Sequence, residues 1–112
     1  MKIKEVIKIL DAKVYCGEEN FDFELASACG ADLMSDVLAF VKDQPILLTG
    51  LVNTQVIRTA DMMDISCVVF VRGKKPDPAL VDLASERGIA VMSTPYTMYS
   101  ACGRLYSAGL VV

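Results

Sequence analysis

Ile46-Leu47-Leu48-Thr49-Gly50, Cys67-Val68-Val69-Phe70-Val71-Arg72-Gly73 and Ile89-Ala90-Val91-Met92-Ser93-Thr94-Pro95 are three nearly unbroken apolar runs inside one stretch, Ile46 to Thr97. Two segments with apolar residues at helical spacing separate them. Short continuous apolar runs suit strands buried on both faces, and their alternation with amphipathic helices predicts βαβ units on a parallel sheet. The expected fold is therefore a three-layer α/β/α domain with a mainly parallel sheet, Ser66 to Val71 at its centre. Each run closes on small or polar residues. In open α/β sheets ligands sit at the carboxyl ends of the strands, which makes these closing residues the place to look for a site.

The chain outside that stretch extends the same pattern. Ile3, Val6, Ile7 and Leu10 form a stripe on a helix over 2–11. Ala12 to Cys16 reads as a strand stopped by Gly17, residues 18–24 as an acidic loop, and Leu25 to Cys29 as a further short strand. Asp32 is placed to cap a helix that turns Leu33, Met34, Val37, Leu38 and Val41 inward. Asp43-Gln44-Pro45 ends it, because the residue before proline resists helical geometry. Asn53 is the expected cap of a helix burying Val56, Ile57, Ala60 and Met63. Asp77-Pro78 and Thr94-Pro95 both read as a cap followed by proline at the first helical position. The last helix carries Met98, Cys102 and Leu105 on one face. Gly103 within it costs about 1 kcal/mol against alanine, which predicts a short helix or one packed closely against something.

Composition narrows the function. At 112 residues the chain is expected to be one domain over 1–112, large enough for a core without metal or disulfide staples. Its apolar residues reach 54%, an excess that predicts a buried subunit interface. No apolar run approaches the ~20 residues a membrane span needs, and Lys2, Lys4, Glu5 and Lys8 break up the start. A cytoplasmic protein that touches no membrane is expected. The net charge of −3 and scattered aromatics argue against a nucleic-acid surface, which needs clustered cations.

With no histidine, Ser-His and Cys-His nucleophile arrangements are excluded. Four cysteines without a C-x-x-C pair make a metal site improbable, so no metal and no cofactor are expected. Cys67 lies in a strand run and reads as a small buried apolar residue. Cys29, ahead of Gly30, reads either that way or as a thiol exposed at a strand end. Asp61 and Asp64 fall near one another on a helix surface and are expected to be solvated.

From Val68 to Leu105 the chain resembles the DRTGG domain family. The residues that carry the likeness are Val-Val-Phe-Val-Arg-Gly-Lys-Lys-Pro-Asp-Pro-Ala-Leu-Val-Asp-Leu-Ala, then Gly-Ile-Ala-Val-Met-Ser-Thr-Pro-Tyr-Thr-Met-Tyr-Ser-Ala. In that family a buried strand ends in Thr-Gly-Gly, a proline-led helix follows, and a last strand runs into a Thr-rich helix start. Ile46 to Gly50 resembles the family's preceding strand. The resemblance implies an α/β/α module of the kind found beside CBS domains and at the N-terminus of HPr kinase/phosphorylases, regulatory and dimerising. This chain departs from the pattern at Val71-Arg72-Gly73, which keeps only the last glycine, and shows no Asp-Arg pair at Leu51-Val52-Asn53-Thr54. It also lacks the phosphate-cradling G-x-x-x-x-G-K-[ST] loop, so kinase chemistry is not implied.

The expected function is a non-catalytic regulatory module, a homodimer with a small anionic metabolite or nucleotide at the strand ends. The candidate ligand residues are Thr49, Gly50, Asn53, Arg72, Gly73, Thr94 and Thr97. Arg72 supplies charge and a bidentate donor set, and the expectation is that it points toward Thr94 and Thr97. The alternatives are a protein-interaction module without a small ligand, for which six methionines would suit a partner surface, and an enzyme using Cys29 or Tyr96 beside Arg72.

Overall fold

A computed structural model describes residues 1–112. Five strands, β1 (Lys13–Cys16), β2 (Ser27–Gly30), β3 (Pro45–Thr49), β4 (Cys67–Phe70) and β5 (Ala90–Ser93), form one sheet in the order β1-β5-β4-β3-β2. β2, β3, β4 and β5 run parallel, and β1 closes the far side antiparallel to β5. Five helices cover it: α1 (Ile3–Ile9), α2 (Met34–Phe40), α3 (Thr54–Met62), α4 (Pro78–Glu86) and α5 (Met98–Ser107).

The layers follow from the two-residue period of a strand. In β4, Cys67 and Val69 join the core under α1 and α5, with Ile3, Val6 and Leu105. Val68 and Phe70 point the other way, into the core under α2, α3 and α4, with Val56, Ile57 and Leu80. All four β4 residues are fully buried. Burying a side chain such as Phe70 is worth about 1.5–3 kcal/mol, and this sheet does so on both faces. The expected three-layer α/β/α architecture, with Ser66 to Val71 central, is what the chain adopts.

The edges are guarded differently. β1 carries Lys13 and an irregular register between Val14 and Cys16, two devices that discourage pairing with another sheet. On β2, the Ala28 amide donates to the Val112 carbonyl at 2.8 Å, so the chain's last residues lie along that edge. Gly17, at φ +92°, packs where a side chain would overlap the Ala90 backbone; glycine is required there for both reasons.

Local expectations are corrected at α2, at the start of α5 and at Asp61. α2 does not turn its whole stripe inward: Val37 alone is fully buried, Met34 and Val41 are half-buried, and Leu33 and Leu38 are exposed. Its cap position is Leu33, with no side-chain cap, rather than Asp32. The last helix begins at Met98, not behind Thr94-Pro95; Thr97 caps it, accepting from the Ser100 amide at 3.2 Å. The Asn53 and Asp77-Pro78 starts are as expected, accepting from Val56 and Leu80 amides respectively. Asp61 is not simply solvated, since it pairs with Arg87 at 2.6 Å across two helices.

Candidate functional site at the strand ends

β3 and β4 are neighbours, so the residues that close them meet at one edge of the sheet. Gly50 follows β3, and three charged side chains converge on it. The Gly50 amide donates to Asp32 Oδ1 at 2.6 Å, and Lys74 Nζ donates to the Gly50 carbonyl at 2.6 Å. The Arg72 guanidinium lies over the α-carbon: a side chain at position 50 would begin 2.9 Å from Arg72 Nη2 and 3.3 Å from Asp32 Oδ1. Glycine here gives two charges of opposite sign access to one peptide.

Thr49 is fully buried, and its hydroxyl works locally. It donates toward Asp32 Oδ1 at 3.4 Å and accepts from the Leu51 amide at 3.1 Å. Asn53 spends its side-chain oxygen on the Val56 amide, fixing the start of α3 just beyond Gly50. Both side chains hold the local backbone, Thr49 from the interior and Asn53 from the exposed start of α3.

Arg72 and Gly73 make the turn after β4, with φ of +60° and +66°. Left-handed geometry is nearly free for glycine and costs other residues roughly 1–2 kcal/mol. Arg72 stands where the Thr-Gly-Gly pattern has its first glycine, and it accepts that cost. The turn is held from β5: the Arg72 amide donates to the Tyr96 carbonyl and the Gly73 amide to the Thr94 carbonyl, each at 2.8 Å. Ser93 Oγ adds a bond to the Lys74 carbonyl at 2.7 Å. Arg72 itself takes part in none of the chain's ion pairs, which join Met1 to Glu24, Lys2 and Lys4 to Asp22, and Arg87 to Asp61.

The expected site is thus divided. Thr49, Gly50, Asn53, Arg72 and Gly73 come together at the ends of β3 and β4. Thr94 meets them only through its carbonyl, which accepts from the Gly73 amide: its side chain is fully buried, and its hydroxyl donates to the Leu10 carbonyl, tying β5 to α1. Thr97 is exposed and serves as a helix cap. The Arg72 side chain turns toward Gly50, away from the side on which Thr94 was expected to receive it. Asp32 and Lys74 also reach Gly50, and the sequence does not single them out. The first looked like a helix cap and the second like a turn lysine, and their shared partner, Gly50, is distant in sequence from both.

The ledge is open. None of the four concavities on the surface includes Gly50, Arg72 or Gly73. A ligand there would be held by charge and hydrogen bonds more than by enclosure, so its affinity should fall as salt rises. The thiols offer little nucleophilic chemistry nearby. Burial raises the pKa of Cys29, with the Asp36 charge adding to it, and burial likewise raises Cys16 and Cys102 and pushes Cys67 up to about 12. Raised values favour the protonated thiol over the nucleophilic thiolate.

A family model for the DRTGG domain matches residues 5–108. The fold is similar to the crystal structure of the CBS and DRTGG domains of the regulatory region of Clostridium perfringens pyrophosphatase, complexed with its activator, diadenosine tetraphosphate. The TM-score is 0.77 at 18% identity, over 93% of this chain and 45% of that one. The chain therefore spans a little under half of that structure, and at this identity the likeness speaks for the fold alone. No curated protein matches it. With the family pattern running through nearly all of its length and the fold in agreement, the chain belongs to the DRTGG domain family.

Proposed function

We propose that this chain is a non-catalytic regulatory module that self-associates as a homodimer and holds a small phosphorylated metabolite or nucleotide at the ends of β3 and β4. The observation that carries the reading is Arg72. An arginine kept in a left-handed turn, beside a second cation and without a carboxylate partner, has no evident task in the fold. Strained positions that the surroundings hold in place tend to be functional ones. A guanidinium matches a phosphate in charge and in bidentate geometry, and Lys74 stands beside it. Asp32 adds an acceptor next to the two cations, which suits a ligand carrying hydroxyl or amino groups as well as phosphate.

Neighbouring observations agree with this reading. The structurally similar pyrophosphatase region is described as regulatory and as bound to a nucleotide activator. That region includes CBS domains as well as a DRTGG domain. The apolar excess of the chain supports self-association.

A second reading, a protein-interaction module without a small ligand, draws on one specific feature. Leu33 and Phe40, 62% and 69% exposed, lie at the two ends of the short helix α2. Native mass spectrometry on gently purified protein separates the two. Retained mass corresponding to a phosphorylated metabolite on a dimer supports the first reading. A bare monomer that binds no added nucleotide contradicts it.

A further inference from the structure

The largest concavity of the surface, about 1000 Å³, is a groove between α1 and α5 that shares no lining residue with the strand-end ledge. Lys8 and Ile9 form one wall, and Tyr99 and Tyr106 the other. The floor is small: Ser100, Gly103 and Ser107. Tyr99 is 91% exposed and Tyr106 63%, so the two largest side chains on the outward face of α5 are without cover. Gly103 has no positive φ, and nothing lies within 4 Å of the place where its side chain would be. Neither backbone geometry nor packing inside the chain asks for glycine there, although glycine weakens a helix.

We infer that this groove is where a second copy of the chain docks, α5 against α5, with Gly103 at the closest approach. The residue spacing makes the face complementary to itself. At 3.6 residues per turn, Tyr99 and Tyr106 fall on one flank of Gly103, and Ser100 and Ser107 on the other. A two-fold axis running along the helices turns each copy's tyrosine ridge toward the other copy's serine flank, which is the groove beside α1. That is the large-into-small, isologous fit a symmetric dimer requires. The two tyrosines supply part of the area such an interface needs. Two mostly exposed tyrosines contribute roughly 300 Å² per copy, toward the ~800 Å² each partner buries in a stable interface. α1 and the flanks of α5 are placed to supply the remainder. The groove's charge competes little: the Arg104 guanidinium stacks 4.0 Å from the Tyr96 ring centroid, which leaves Lys8 as the cation on the opposite wall.

The inference rests on the self-association proposed above and says where it occurs. Sedimentation equilibrium on wild type, Gly103→Leu and the double variant Tyr99→Ser/Tyr106→Ser tests it. A Cβ at 103 meets nothing within 4 Å in its own chain, and leucine favours a helix over glycine, so the melting temperature should hold or rise. The dimer should weaken by about thirtyfold or more, as for loss of a central contact, and the tyrosine variant should weaken it likewise. If wild type is a dimer and both variants associate within about threefold of it, the groove is not the interface and self-association stands. If wild type is a monomer at tens of micromolar, both statements fail. A monomeric wild type whose Ser100 and Gly103 NMR signals move with inorganic phosphate would show that the groove holds an anion and overturn the docking.

Discussion

Asp32 Oδ1 accepts the Gly50 amide at 2.6 Å, so a residue from the turn after β2 closes the end of β3. The bond joins residues 18 apart in sequence and fixes the ledge on which Arg72 rests. A hydrogen bond with one charged partner is worth about 1.5–3 kcal/mol. Asp32 is partly solvated, which places Asp32→Ala at the lower end, about 1.5 kcal/mol of lost stability. Asp32→Asn, which keeps an acceptor, should lose less. Urea unfolding of the two variants makes the comparison, and equal loss from both would mean that the amide does not depend on this acceptor.

Thr94 makes the opposite case. Its hydroxyl donates to the Leu10 carbonyl and accepts from the Tyr96 amide, leaving no donor for a ligand on the ledge. Thr94→Val keeps the shape, removes the donor and leaves a buried carbonyl without a partner, at a cost of about 1–3 kcal/mol. Anion binding should be unchanged. A variant of wild-type stability that has lost its ligand would return Thr94 to the site.

The cysteines give a pH prediction. Cys67 titrates near 9.0 when unfolded and at about 12 when buried. Its folded pKa is raised, so the stability it contributes is whole below pH 9 and is lost as pH climbs from there through about 12. At pH 8 a thiol-reactive aromatic disulfide should reach Cys67 only through unfolding, and Cys29 only slowly. In guanidinium all four free thiols should react at once. A burst from the native protein at Cys29 would mean that its thiol is exposed and ionised after all.

The Arg72 turn separates function from stability. Arg72→Gly relieves left-handed strain of roughly 1–2 kcal/mol but adds unfolded-state freedom worth about 0.4–1 kcal/mol. The two nearly offset, so stability should stay the same or rise slightly. Thermal unfolding checks this. A marked loss of stability would show that the arginine side chain supports the fold.

What could be read from the chain beforehand divides along one physical line. β3, β4 and β5 were legible because strands buried on both faces need continuous apolar residues, and Phe70 or Val91 can satisfy that from local sequence alone. The Asn53 and Asp77 caps were legible because a cap bonds an amide three residues away. Asp32, Lys74 and Thr94 carry the same local signals as caps and turns. Their partners are 18, 24 and 84 residues distant, and only the closed sheet brings them together. Thr94-Pro95 shows the limit clearly. It matches Asp77-Pro78 as a helix start, yet the Thr94 amide still pairs with the Phe70 carbonyl as a continuation of the sheet. α2 departs from its apolar pattern for a related reason: a seven-residue helix beside an edge strand has little sheet beneath it to bury a full apolar stripe.

The central claim is that the β3–β4 ledge holds a phosphorylated ligand through Arg72. NMR titration of wild type and Arg72→Ala with AMP and with inorganic phosphate tests it most directly. Wild type should show saturable shifts at Gly50, Gly73 and Lys74 that weaken with salt. Loss of a charged hydrogen bond, about 1.5–3 kcal/mol, should reduce affinity roughly tenfold to hundredfold in the variant. Wild-type spectra that do not move at those residues, or move equally in the variant, would contradict the account.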